Sequence, residues 1–188
     1  MIQSTTKLIV TPKGENHYIN EKTINGHKMT VNTSIENAKY TNRIGIVVSL
    51  PLNYTGNVLV GDEVIVHHNC FRDWCDTRGR LQKSTAHIQD ELFYADDQTM
   101  FLIIRNGKNI AIDGYCFIKP TFKEDRFLGK IETKHIGIVK YSNAFLESKG
   151  VFSGDKIAFK SDSEYEFEID NEIYYRIRTP SIIAKILN

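Results

Sequence analysis

Apolar residues along this chain come in short runs rather than at helical spacing. Ile and Val cluster in groups of three to six, separated by Gly, Asn, Asp, Lys and Pro, the residues that punctuate strands. The pattern predicts strands over Lys7–Thr11, Ile44–Ser49, Glu63–His67, Met100–Arg105, Tyr115–Lys119, Ile136–Tyr141, Lys156–Lys160, Glu164–Ile169, Ile173–Arg178 and Ile182–Leu187. Apolar spacing of three and four residues is sustained almost nowhere, and Ser84–Leu92 is the best helical candidate. The expected class is all-β.

The runs repeat. Ile44-Gly45-Ile46-Val47 is followed, sixteen residues after its glycine, by Gly61-Asp62-Glu63-Val64-Ile65-Val66. Ile136-Gly137-Ile138-Val139 is followed, seventeen residues after its glycine, by Gly154-Asp155-Lys156-Ile157-Ala158-Phe159. Upstream, Lys7 to Pro12 matches Tyr115 to Pro120; downstream, Phe101 to Ile112 pairs loosely with Tyr174 to Ile186. Matched blocks at matched spacing predict two tandem β-barrels, residues 1–112 and 113–188. Gly45, Gly61-Asp62, Gly137 and Gly154-Asp155 are read as the turn positions of this repeat. Glycine before aspartate suits a tight turn with positive φ, the carboxylate capping the turned amides.

The halves differ in their connections. From Pro12 to Gly45 is 33 residues, but from Pro120 to Gly137 only 17. From Gly61 to Phe101 is 40 residues, against 20 from Gly154 to Tyr174. The first half therefore carries a long loop over about 13–43 and a second insertion over about 70–90; the second half lacks the long loop. Long loops on a compact scaffold are usually functional or disordered. The 13–43 loop is rich in Asn, Thr, Lys, Glu and Gly and is expected to be flexible, with Ile19, Ile24, Met29, Val31 and Ile35 as its apolar exceptions.

Composition narrows the function. The 188 residues carry 24 Lys+Arg against 23 Asp+Glu, a net charge of +1, which gives no global pull toward nucleic acid or anionic membrane. No apolar run approaches the roughly 20 residues that span a bilayer, and no secretory signal is read at the N-terminus. Three cysteines, Cys70, Cys75 and Cys116, do not look like a disulfide scaffold and fit a cytoplasmic location.

His67, His68, Cys70 and Cys75 fall within nine residues but lack the second ligand pair of a zinc site, so no metal is expected. Arg72, Arg78, Arg80 and Lys83 near Phe71 and Trp74 suggest a nucleic-acid contact, but Asp73, Asp76, Asp90 and Glu91 dilute them; they read as a solvated face or a subunit contact. No phosphate-binding glycine loop, nucleophile elbow or metalloprotease motif is present, so neither an enzyme nor a cofactor is expected.

The order of these motifs resembles the GroES-type co-chaperonins, the chaperonin 10 family. It carries an opening strand ending at Pro12, a long polar loop, Gly45-Ile46-Val47, then Val60-Gly61-Asp62-Glu63-Val64-Ile65-Val66. The same order returns in Gly154-Asp155-Lys156-Ile157 and the closing Ile182-Ile183-Ala184-Lys185-Ile186-Leu187. The resemblance covers both halves. It implies Greek-key-like barrels that assemble into a homo-oligomeric ring and cap a GroEL-type chaperonin. The chaperonin would hydrolyse ATP while an unfolded client is enclosed beneath the ring.

In that family the loop after the first strand is mobile and docks on the chaperonin's apical domains through three consecutive aliphatic residues. Here the matching loop offers Ile24, Met29, Thr30, Val31 and Ile35; Met29-Thr30-Val31 is the nearest match, interrupted by a threonine. The bland alternative is that Met29 and Val31 only pin the loop to the barrel. The short Leu50–Leu59 stretch resembles the reduced roof of phage-encoded versions. The rival reading is a structural or assembly protein, such as a virion component, built from tandem barrels without chaperonin binding.

Overall fold

The computed structural model describes residues 2–19, 21–30, 37–169 and 172–187. The protein is all-β. Its strands run β1 (Leu8–Pro12), β2 (Glu21–Ile24), β3 (His27–Thr30), β4 (Ile44–Ser49), β5 (Glu63–Val66), β6 (Trp74–Cys75), β7 (Leu81–Gln82), β8 (His87–Gln89), β9 (Leu92–Ala95), β10 (Met100–Arg105) and β11 (Lys108–Ala111). They continue as β12 (Tyr115–Asp125), β13 (Gly129–Tyr141), β14 (Lys156–Phe159), β15 (Tyr165–Ile169), β16 (Glu172–Arg178) and β17 (Ile182–Ile186). A short α-helix, α1 (Ala144–Ser148), separates β13 from β14. The chain divides into two compact units, 1–108 and 109–188, the division falling within β11.

The sheet of the first unit runs β11-β10-β5-β4-β1-β9-β8 and that of the second β17-β14-β13-β12-β16-β15. Apart from β11, the two orders are the same, strand for strand. Their registers coincide as well. Pro12, Thr11 and Val10 face Gly45, Ile46 and Val47, and after a bulge Ile9 faces Ser49. Pro120, Lys119 and Ile118 face Gly137, Ile138 and Val139, and after a bulge Phe117 faces Tyr141. On the other side of the opening strand, Val10 faces Phe93 and Ile118 faces Tyr175.

Topology also requires each sheet to curl. β16 and β17 lie four strand spacings apart in the order, about 19 Å across a flat sheet. Only Thr179–Ser181 connect them, and four Cα steps reach at most about 14 Å. The matching β9-to-β10 connection is folded on itself, with the Met100 amide donating to the Asp96 carbonyl at 2.8 Å. Curling gathers apolar side chains from neighbouring strands into buried clusters. Val10, Val47, Val64, Phe71, Phe93 and Leu102 are fully or almost fully buried in the first unit, and Cys116, Ile118, Val139, Ile157 and Ile177 in the second.

Three sequence expectations need correction. Ser84–Leu92 is not helical: it holds β8 and the start of β9, joined at Asp90, whose φ is 47°. The downstream repeat is displaced: by strand order β10 corresponds to β17 and β9 to β16, so Phe101 does not correspond to Tyr174. Finally, Gly45 and Gly137 are not turn residues. Each sits inside a strand, and each lies where a Cβ would press on the core. A Cβ on Gly45 would meet Phe71 Cζ at 3.1 Å, and one on Gly137 would meet Ile118 Cδ1 at 2.4 Å.

Candidate functional site

The Gly-Asp pairs form the same turn twice. Gly61 and Gly154 adopt φ of 90° and 96°, which a side chain would resist. Their amides donate to the carbonyls of Val47 and Val139, each at 2.8 Å. The Asp62 carboxylate accepts the Leu59 amide at 2.7 Å, and that of Asp155 accepts the Phe152 amide at 2.7 Å. Each carboxylate also meets a cation from the strand beside it, Arg105 for Asp62 and Lys185 for Asp155. These turns fix the entry to β5 and β14 and hold no open chemistry.

The connection from Pro12 to Gly45 has a closed stem and an exposed end. Asn42 is buried, and its side-chain amide donates to the carbonyls of Lys13 (2.9 Å) and Asn16 (2.8 Å) while its carbonyl accepts the Ile44 amide (3.0 Å). Backbone bonds from Ile19 to Tyr40 (2.7 Å) and from Asn42 to His17 (2.8 Å) zip the two sides together. The stem is also anchored to the second insertion. His17 Nε2 lies 2.6 Å from Glu91 and its Nδ1 3.7 Å from Asp73, with the ring edge-on to Phe93 at 5.4 Å. The Tyr18 hydroxyl accepts the Asp73 amide at 2.9 Å, and burial pushes that phenol's pKa up.

Beyond the stem, β2 and β3 pair as a hairpin, Glu21 facing Thr30 and Ile24 facing His27. Asn25 and Gly26 make the turn with φ of 51° and 80°, the pattern of a two-residue hairpin that matches strand twist. The sequence reading missed this hairpin, although Asn-Gly is the strongest short-range signal for one; neither EKTI nor HKMT alternates, so the strands themselves were silent. Every described side chain of β3 is exposed, including Thr30. Ile24 and Met29 are about half exposed, at 49% and 52%. The remaining loop candidates, Val31 and Ile35, lie outside the described residues. A cleft of about 900 Å³ opens between hairpin and stem, lined by His17, Tyr18, Ile19, Thr23, Lys28 and others.

The second insertion is partly core. Phe71 is fully buried, packing edge-on against Phe93 at 5.0 Å. Cys70 is buried too, and burial pushes its thiol pKa up to about 12, whereas Cys75 is exposed. His67 and His68 stack at 4.1 Å, and burial pushes His68 down to about 4. Among the described residues no group of three or more His, Cys, Asp or Glu is placed to hold a metal ion. Asp76 organises the β6–β7 turn by accepting the amides of Arg78 and Arg80 at 2.9 Å and the Arg80 Nε at 3.0 Å. Lys83 lies 3.9 Å from Asp73, and the Trp74 indole donates to the Lys83 carbonyl. With Phe71 in the core and Arg80 held by Asp76, the basic and aromatic residues singled out in the sequence do not form one stacking surface.

No helix among the described residues is long and apolar enough to cross a membrane. Compared with protein-family models and with curated proteins, the chain matches none.

Proposed function

We propose that this protein is a co-chaperonin: a ring-forming lid that caps a GroEL-type chaperonin and assists its ATP-driven folding cycle without catalysis of its own. The observation that carries this reading is the position of the β2–β3 hairpin. It fills the connection between the first and second strands of the repeat, where GroES-type proteins carry their docking loop, and it presents Ile24 and Met29 to solvent above a zipped stem.

The energetics favour a ring. Ile24 and Met29 are about half exposed, so burying what remains in an apolar groove offers about 1–1.5 kcal/mol each. Association alone costs about 4–15 kcal/mol in lost translational and rotational freedom. One chain is therefore a weak ligand. Several chains on one closed ring raise the effective concentration of every further contact, so the lid binds firmly yet leaves when the partner's grooves change shape. A near-neutral surface suits a lid held by apolar contacts.

The test is binding of full-length protein to a GroEL-type chaperonin in the presence of ATP. Wild type is expected to bind, and I24S/M29S to bind about ten-fold or more weakly, with its oligomer intact by mass photometry. Equal binding by the variant, or no binding by wild type, contradicts the reading; the second outcome favours a structural or assembly role for the tandem sheets.

A further inference from the structure

The connection between β12 and β13 occupies the same place in the second sheet that the 13–43 connection occupies in the first. Each leaves the opening strand at a proline facing a glycine of the next strand, Pro12 with Gly45 and Pro120 with Gly137. In the second unit this connection is built as strand. Past an irregularity that includes His135, whose φ is 60°, Phe122–Asp125 pair with Gly129–Glu132 and run on as an arm with no buried residue.

At the end of the arm stand Arg126, Phe127 and Leu128. Gly129 closes the turn with φ of 73°, and the Asp125 carboxylate accepts the amides of Phe127 (2.9 Å) and Leu128 (3.0 Å). Asp125 and Gly129 thus meet the backbone needs of the turn, and nothing in its geometry calls for apolar side chains. Yet Phe127 is 92% exposed and Leu128 77%. Apolar residues gathered on one ordered projection mark a contact surface rather than ordinary scatter.

Resting on the reading of the β2–β3 hairpin given above, we propose that the Phe127–Leu128 tip is a second chaperonin-docking element, so that each chain offers its partner two apolar contacts. Its occupant is the same kind of apical apolar groove that receives Ile24 and Met29. The duplicated register assigns it: the two hairpins fill equivalent connections of equivalent sheets and both expose apolar side chains, Ile24 and Met29 on the strands of the first and Phe127 and Leu128 at the turn of the second. The charges around the tip, Lys123, Glu124, Asp125, Arg126 and Lys130, are of mixed sign and make no field that would select a polyanion or an anionic membrane. Because the arm is already paired, docking it orders little further chain.

The test compares full-length wild type, I24S/M29S, F127S/L128S and the combined variant for binding to a GroEL-type chaperonin in ATP, with melting and oligomeric state followed in parallel. F127S/L128S is expected to weaken binding about ten-fold or more while melting and oligomer stay unchanged. A photo-cross-linker placed at Arg126 is expected to attach to the chaperonin. If wild type binds, I24S/M29S loses binding and F127S/L128S does not, the inference is overturned while the reading of the first hairpin stands. A cross-link to a second copy of this chain overturns it equally, assigning the tip to subunit assembly. If wild type does not bind, the underlying reading fails and the inference falls with it.

Discussion

The Asp62 carboxylate, in the turn before β5, and the Arg105 guanidinium, at the end of β10, form a pair: Arg105 Nε donates to Oδ1 at 2.7 Å and its Nη2 to Oδ2. Asp62 is buried, and Arg105 also donates to the Asn57 carbonyl at 2.6 Å. One aspartate thereby ties the Gly61 turn to the strand beside it.

The Arg105 guanidinium bound to Asp62 holds its carboxyl below the ordinary aspartate value of about 3.9. A carboxylate with a depressed pKa stabilises the folded state fully above its unfolded value, and that contribution is lost as pH falls through the unfolded value toward the folded one. Melting temperature is therefore expected to drop below about pH 4, and Asp62→Asn is expected to flatten that acid limb. Asp62→Ala, which also strips the Leu59 amide of its acceptor, is expected to cost about 1.5–3 kcal/mol at neutral pH in denaturant melts. An unchanged melt would show the pair to be incidental.

Gly137→Ala is expected to destabilise the second unit by about 1–3 kcal/mol. The added Cβ would lie 2.4 Å from Ile118 Cδ1 and 3.1 Å from the Lys119 carbonyl oxygen, and Ile118 is fully buried with little room to turn. Shortening Ile118 to Val in the same chain is expected to recover part of the loss. Gly45→Ala meets its nearest neighbour at 3.1 Å and is expected to cost less. Thermal denaturation of the single and double variants decides; equal costs at the two glycines, or no recovery, would contradict the packing account.

Thiol reactivity separates the three cysteines. Cys75 is exposed, while burial pushes Cys70 and Cys116 up to about 12 and shields both. Titration of the native protein with a disulfide reagent is expected to give one fast thiol per chain and three only after denaturation. Fast reaction of Cys70 in the native state would mean that the Phe71 region does not pack as described, and fast reaction of Cys116 would mean the same of the cluster it shares with Ile118 and Ile177.

Substituting Gly26 by Val asks a branched side chain to adopt φ of 80°. The β2–β3 pairing is expected to be lost in amide exchange, with the melt of the sheet unchanged, because the hairpin contributes no buried residue among those described. A matching fall in melting temperature would instead make the hairpin part of the core.

Much of the architecture was legible because strand periodicity and repetition are both written in side-chain type. Ile44–Ser49 and Met100–Arg105 read as strands for their full length, and the Gly-Asp blocks located two equivalent turns. What escaped depended on contacts. Gly45 and Gly137 looked like turn residues, since a sequence does not say that Phe71 or Ile118 will lie where a Cβ would go. Ser84–Leu92 spaced its apolar residues like a helix, but Asp90 turns the chain and Phe93 takes the buried position. α1 is five residues long, capped when the Asn143 side chain accepts the Leu146 amide at 2.9 Å, too short to show a period. Of the docking candidates, Ile24 and Met29 were legible as apolar interruptions of a polar loop. Phe127 and Leu128 were not, because the strand pattern stopped at Lys119 and resumed at Ile136, and the polar residues between gave no sign that β12 and β13 run on to carry a turn there.

The most direct test of the central claim is electron microscopy of the full-length protein mixed with a GroEL-type chaperonin and ATP. The account predicts a closed ring of this chain seated over the chaperonin's open end, with the β2–β3 hairpins touching the apical domains. Chaperonin particles that stay uncapped at saturating protein, or protein bound elsewhere than the open end, would contradict it.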